Sequence, residues 1–244
     1  MPEAFRQCPK CGHVLPQAMP ASAQCPACGI YFFKWGQTPA GHETRADASE
    51  EGARERLLAP MAEMDALSFY GRSLALAMLA WWSWSLVGAD YRDGELFDSF
   101  MHNILLPIHE AGHVFLIPFG EFMTILGGSL FQLALPLGIA IAFAVRNRDN
   151  FAAALGIWWT AVSLLDLSPY IYDALHPRLT MLGGHTGEDG PHDWIYLLDV
   201  LGQLPRAQVW GATAHTIGSA LAVLALVWAA IVLWRQKAVL HDPA

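Results

Sequence analysis

Hydrophobic positions are unevenly spread along this chain. Polar and small residues dominate the first 66 positions, whereas almost all the apolar weight lies between 67 and 234. That region divides into five stretches, 69–87, 100–118, 122–145, 151–172 and 210–234, each near the ~20 residues a helix needs to cross a bilayer. The pattern predicts an all-α integral membrane protein with about five transmembrane helices. Tryptophans in these stretches, among them Trp81, Trp84, Trp158 and Trp234, are of the type favoured at lipid headgroups. The longest connection, 173–208, carries the run Gly183-Gly184-His185-Thr186-Gly187.

Ahead of the apolar region, residues 37–66 are rich in Gly, Ala, Glu, Arg and Thr without hydrophobic periodicity, and read as a linker with a short helix near 54–58. The division expected is a head at 1–36, a linker at 37–66, a membrane domain at 67–236 and a tail at 237–244. The opening residues lack the pattern of a cleaved secretory signal.

Composition sharpens the class. Hydrophobic residues make up 54% of the chain and charged ones only 15%, against about 25% in an ordinary soluble domain. The net charge of −8 offers no basic surface for a phosphate backbone, so no nucleic-acid partner is expected. No GxGxxG or Walker loop and no fixed-period repeat appears, which disfavours nucleotide-driven transport and solenoid folds.

Loop charges give conflicting orientations. Arg54, Arg56 and Arg72 place the start of the first stretch inside, and the acidic loop 90–98 suits the outside. Five full crossings then leave Arg146, Arg148, Arg235 and Lys237 outside, against the positive-inside tendency. A re-entrant third stretch, broken at Gly127-Gly128 or Pro136, would return both clusters inside.

All four cysteines lie in the head, as Cys8-Pro-Lys-Cys11-Gly12 and Cys25-Pro-Ala-Cys28-Gly29. Each Cys-x-x-Cys turn aims two thiolates at one point, and two turns supply the tetrahedral sulfur set of a structural zinc. The segment resembles a zinc ribbon with two knuckles. Its thiolates need a reducing compartment, which places the N-terminus in the cytosol, and its four protein ligands leave no position for chemistry.

The second stretch contains His109-Glu110-Ala111-Gly112-His113. Two histidines four apart on a helix lie on one face and can share a zinc, and the intervening glutamate can reach the open position as a base. Ionisable residues at mid-membrane depth are costly unless paired or metallated, so a functional site is the default reading. A third ligand is required; Asp166, Asp173, His185, His192 and Asp193 are the candidates.

A His-Glu-x-Gly-His motif within a transmembrane helix resembles the site-two protease family of intramembrane zinc metalloproteases. In that family a later span carries the third ligand in the pattern Asn-Leu-x-Pro-x-x-Pro-x-Asp-Gly. Here the fourth stretch reads Ser163-Leu164-Leu165-Asp166-Leu167-Ser168-Pro169-Tyr170-Ile171-Tyr172-Asp173-Ala174. Leu164 and Pro169 match the family's Leu and second Pro, and Asp173 follows two residues beyond the ligand place. Ser163, Asp166 and Ala174 stand where the family has Asn, Pro and Gly. Depth along the helix favours Asp166, and the resemblance favours Asp173, which is taken as the ligand, with the other as a partner that orients an imidazole.

The expectation is therefore a zinc endopeptidase with two zinc ions, one structural at Cys8, Cys11, Cys25 and Cys28 and one catalytic at His109, His113 and Asp173. Glu110 would be the general base. By the resemblance its substrates are transmembrane segments, in the lipid bilayer of a plasma or inner membrane, and the ribbon would bind a substrate or regulator. An inactive membrane metal-binding or regulatory protein, and an ion or proton transporter using the same His and Asp residues, are the alternatives. His102, one face with His109, reads as an orienting partner or an interfacial residue, and His215 as a packing contact. Gly127-Gly128-Ser129 and Gln132 suit either substrate approach or close helix packing.

Overall fold

The computed structural model describes residues 4–8, 10–20, 22–32, 52, 54–61 and 64–241, so most of the expected linker at 37–66 lies outside the described residues. The chain forms two compact units, Met1–Ala53 and Arg54–Ala244.

The smaller unit pairs strand β1 (Ala4–Gln7) antiparallel with β2 (Val14–Pro20), Ala4 facing Pro20 and Gln7 facing Val14. The two Cys-x-x-Cys turns repeat one geometry. Gly12 N–H donates to the Cys8 carbonyl and Gly29 N–H to that of Cys25, both at 2.9 Å. Both glycines hold a positive φ, 72° and 73°, which closes each turn without a Cβ clash. Leu15, Phe32, Cys8 and Cys25 form the buried centre, and Phe5 stacks on Phe32.

The larger unit is helical: α1 (Ala66–Gly88), α2 (Phe100–Leu116), α3 (Glu121–Ala142), α4 (Asn150–Asp173), the short α5 (Asp193–Val200) and α6 (Ala207–His241). Local sequence sets the starts. Asp65, Ser99 and Asp149 each accept a first-turn N–H through the side chain, the usual N-terminal cap. Three helical segments among the described residues, Glu121–Asn147, Asn150–Asp173 and Leu204–Ala238, are long and apolar enough to cross a membrane. That is fewer than the five expected. The first stretch forms a helix of spanning length that falls outside that apolar set, and the second ends after 17 residues as α2. The third is one continuous helix through Gly127, Gly128 and Pro136, not the broken hairpin entertained from the sequence.

Helix α4 is the centre of this unit, buried along most of its length and packed most extensively on α6. One end is tied by Arg72, which forks onto Asp149 at 2.8 and 2.9 Å. The short helix expected near 54–58 is present, and its segment is held at the same end. Asn150 donates to the carbonyls of Arg56 and Ala59 (2.7 and 2.9 Å), and Gln236 bonds both backbone groups of Met61. What composition marks as linker is therefore, at 54–61, part of the packed unit.

Close packing of α2 on α3 positions the chemistry. A Cβ on Gly112 would run into the carbonyl of Gly127, and the reverse is equally true, so only two glycines allow this approach.

Candidate metal centres

Four sulfurs converge in the smaller unit. Sγ of Cys8 lies 3.7 Å from Sγ of Cys28, and Sγ of Cys11 lies 3.9 Å from that of Cys25. All four ligand atoms fall within 4.8 Å of one another. These separations are too long for disulfides, and they fit zinc, whose ~2.3 Å bonds at tetrahedral angles set sulfurs about 3.8 Å apart. Burial works against the Cys8 thiolate, yet the N–H groups of Cys11 and Lys10 bring its pKa down to about 6. Of Cys11, the His13 N–H favours the thiolate, but the neighbouring thiols, Cys28 first, push it up to about 12. One thiolate thus disfavours the next, a repulsion that a divalent ion would relieve.

The second cluster lies in the helical unit. His109 and His113, one turn apart on α2, face Asp193 at the first position of α5. Asp193 Oδ2 lies 3.0 Å from His109 Nε2 and 3.3 Å from His113 Nε2. Zinc bound at ~2.0–2.2 Å to nitrogen and carboxylate oxygen spaces its ligands by about 3.3 Å in a tetrahedral site, so this donor set fits the ion. Gly128 of α3 supplies an independent mark of the space. A Cβ there would press into His109 Nε2 and lie 2.6 Å from His113 Nε2, close to where an ion would sit.

The imidazoles are oriented from behind. His113 Nδ1 donates to the Thr124 carbonyl at 2.8 Å, and His109 Nδ1 donates to Gln132 Oε1 at 2.9 Å. A neutral imidazole that donates from Nδ1 presents its lone pair at Nε2, the side that faces Asp193. Gln132 is held in turn: its Nε2 donates to Asp166 Oδ2 at 2.9 Å, while the other oxygen of Asp166 accepts from His102 Nδ1, also at 2.9 Å. Asp166 and His102 therefore orient the glutamine that orients His109.

Asp173, the expected third ligand, is not brought to the histidines; Asp193 stands in that place. Asp173 lies at the C-terminal end of α4, where its Oδ1 accepts the N–H groups of Arg178 and Leu179 at 2.8 and 3.2 Å. Its Oδ2 faces Nε2 of the buried His192 at 3.5 Å. His192 caps α5 by accepting the Ile195 N–H through Nδ1, and Tyr170 Oη accepts the Asp193 N–H at 2.9 Å. Asp173 thus shapes the loop that delivers Asp193. His185 of the Gly-rich run lines a cavity together with His109 and His113, whereas His215 packs on Tyr91 with ring centres 4.6 Å apart.

Glu110 is exposed and lines a cavity of about 330 Å³ together with His109, His113, Asp193 and Tyr170. A carboxylate and three side chains that could hold a metal thus line one cavity. The chain matches no protein-family model, no curated protein and no solved structure. Its chemistry rests on its own residues.

Proposed function

We propose that the chain is a membrane-embedded zinc endopeptidase that hydrolyses peptide bonds of membrane-protein substrates. The observation that carries this reading is the convergence of His109, His113 and Asp193 beside Glu110, at a space that Gly128 leaves open. His109, His113 and Asp193 would hold the catalytic zinc, and Cys8, Cys11, Cys25 and Cys28 a structural one. The catalytic ion, when bound, supplies Lewis acidity toward a carbonyl and toward water.

Glu110 is the group that moves protons. It takes one from the attacking water as the water oxygen adds to the peptide carbon, and returns it to the departing nitrogen as the C–N bond breaks. Gln132 and the Thr124 carbonyl keep the imidazoles in the metal-binding tautomer. Asp193, as the third donor, would neutralise part of the ion's charge. A helical substrate hides its peptide bonds, so it must unwind locally to reach Glu110. The exposed glutamate in a cavity favours a hydrolase over a purely structural metal site, which has no need of that carboxylate.

The test is cleavage of a transmembrane substrate by the full chain in proteoliposomes. Activity should vanish with a chelator and return with Zn²⁺, and His109→Ala should not be restored. Chelator-resistant cleavage would refute the metal-dependent mechanism.

A further inference from the structure

Contacts along α4 give the depth of every other helix. At one end Arg72 of α1 is bonded to Asp149, the helical segment that continues α3 ends at Asn147, and Gln236 of α6 meets Met61. At the other end Tyr91, in the loop after α1, packs on Tyr172 with ring centres 5.5 Å apart, and Gly211 of α6 lies against Tyr172. Helices α1, α3, α4 and α6 each run between these ends.

Helix α2 does not. It is reached from the loop 89–99, whose Phe97 packs on Tyr170, and its first turn dips inward as far as Trp82 and Asp166. It leaves at Leu116, whose carbonyl accepts from Thr124 Oγ1 at 3.4 Å in the first turn of α3. Helix α3 is antiparallel to α4, with Ala140 against Gly156 and Gln132 against Asp166. Stepping from Gln132 back to Glu121 moves about 16 Å toward the Tyr172 end. Both connections of α2 therefore lie at that end, and the limb 89–120 enters and returns on one side.

This geometry resolves the charge conflict in the sequence. With four passages instead of five, Arg54, Arg56, Arg146, Arg148, Arg235 and Lys237 all fall at the Asp149 end, where Arg72 is already paired and, among the described residues, Glu55 and Asp65 are the acidic company. The Tyr172 end carries Asp90, Asp93, Glu95, Asp98, Glu121, Glu188, Asp189 and Asp199 against Arg92, Arg178 and Arg206. Lysine and arginine are drawn to the anionic headgroups of the cytoplasmic leaflet and retained on that side.

We propose that the basic end of the helical unit rests on the anionic cytoplasmic leaflet, that α2 is a re-entrant limb, and that the cavity lined by Glu110 opens on the opposite side of the membrane. The substrate consequence rests on the peptidase reading above: the segments cut are those presented from the non-cytoplasmic half of the bilayer. The orientation itself is independent of that reading, and its test involves no cleavage.

Single cysteines at exposed positions report the sides in intact cells expressing the full chain. A membrane-impermeant thiol reagent is applied before and after permeabilisation, with the unsubstituted protein as the blank for its own four cysteines. Asp93→Cys, Glu121→Cys and Leu182→Cys, the last at the cavity itself, should label fully in intact cells. Arg146→Cys and Lys237→Cys should label only after permeabilisation. Labelling of Asp93→Cys and Arg146→Cys with protection of Glu121→Cys would mean that α2 crosses, and would overturn the proposal. Complete reversal of the pattern would overturn it as well. If the expected pattern appears in protein that cuts nothing, the peptidase reading fails and the orientation stands.

Discussion

Oδ2 of Asp193 lies 3.0 Å from Nε2 of His109, although 84 positions of sequence separate the two residues. The contact ties a short helix beyond the Gly-rich loop to the centre of the helical unit, and makes Asp193 the third donor of the set. Asp193→Ala should therefore remove the zinc of the helical unit and the activity with it, since two histidines alone hold the ion poorly. Asp173→Asn should keep that zinc and lower activity by roughly 10–100-fold, as a change behind the ligands does. Metal analysis of both purified variants checks this. Zinc lost from Asp173→Asn and retained by Asp193→Ala would reverse the assignment.

Gly128 offers a test by size alone. Gly128→Ala adds one carbon that presses on His109 Nε2 and His113 Nε2, so zinc per chain should fall from two to one. Gly138→Ala on the same helix meets nothing within 4 Å and should leave both ions in place. Equal zinc content in the two variants would show that the space beside Gly128 holds no metal.

Gln132 should matter through His109. Gln132→Leu removes the acceptor at His109 Nδ1 and leaves Asp166 without its amide partner. Zinc affinity of the helical unit should weaken by roughly 10–100-fold, measured by competition with a chelator of known affinity. Affinity unchanged within twofold would mean that the tautomer is fixed by other means.

In the smaller unit Cys8→Ser should abolish the structural zinc and unfold that segment, while the catalytic zinc and hydrolysis persist. Acid should do the same to the native segment. Without metal the Cys8 pKa is lowered from 9.0 to about 6, so the stability its thiolate contributes is present above pH 9 and is lost as pH falls through about 6; bound zinc competes with protons for the same sulfur and moves this loss to lower pH. Circular dichroism and zinc release on acid titration from pH 8 downward follow this; zinc release that does not depend on pH would contradict it.

Local chemistry was legible in the sequence, and long-range chemistry was not. The two Cys-x-x-Cys-Gly turns and the His109–His113 pair are set by spacings of a few residues, and the structure brings each group together. Asp193 was one of several candidates, because the side chain that completes the set depends on how the loop after Asp173 folds back. The signals were there: His192 ahead of Asp193 is a capping arrangement, and the glycines before it permit the return. The fourth stretch misled for a physical reason. Asp173 sits at the end of α4, level with backbone N–H groups that claim its carboxylate, while Asp166 is occupied by His102 and Gln132. The second stretch reads as a span from its apolarity, which reports burial in protein as well as in lipid. Met101 and Leu105 are buried against α1, α4 and α6. The glycines and proline of α3 did not break it, since Gly127 and Gly128 are where α2 and its imidazoles approach.

The most direct measurement of the account is a comparison of wild type with Glu110→Gln in one reconstituted assay, with zinc counted in the same samples. Glutamine preserves size and polarity in the cavity but cannot take a proton. Both proteins should carry two zinc ions per chain, and the variant should cut a transmembrane substrate about 10²–10⁴-fold more slowly. Cleavage by Glu110→Gln at the wild-type rate, with both ions bound, would contradict the mechanism.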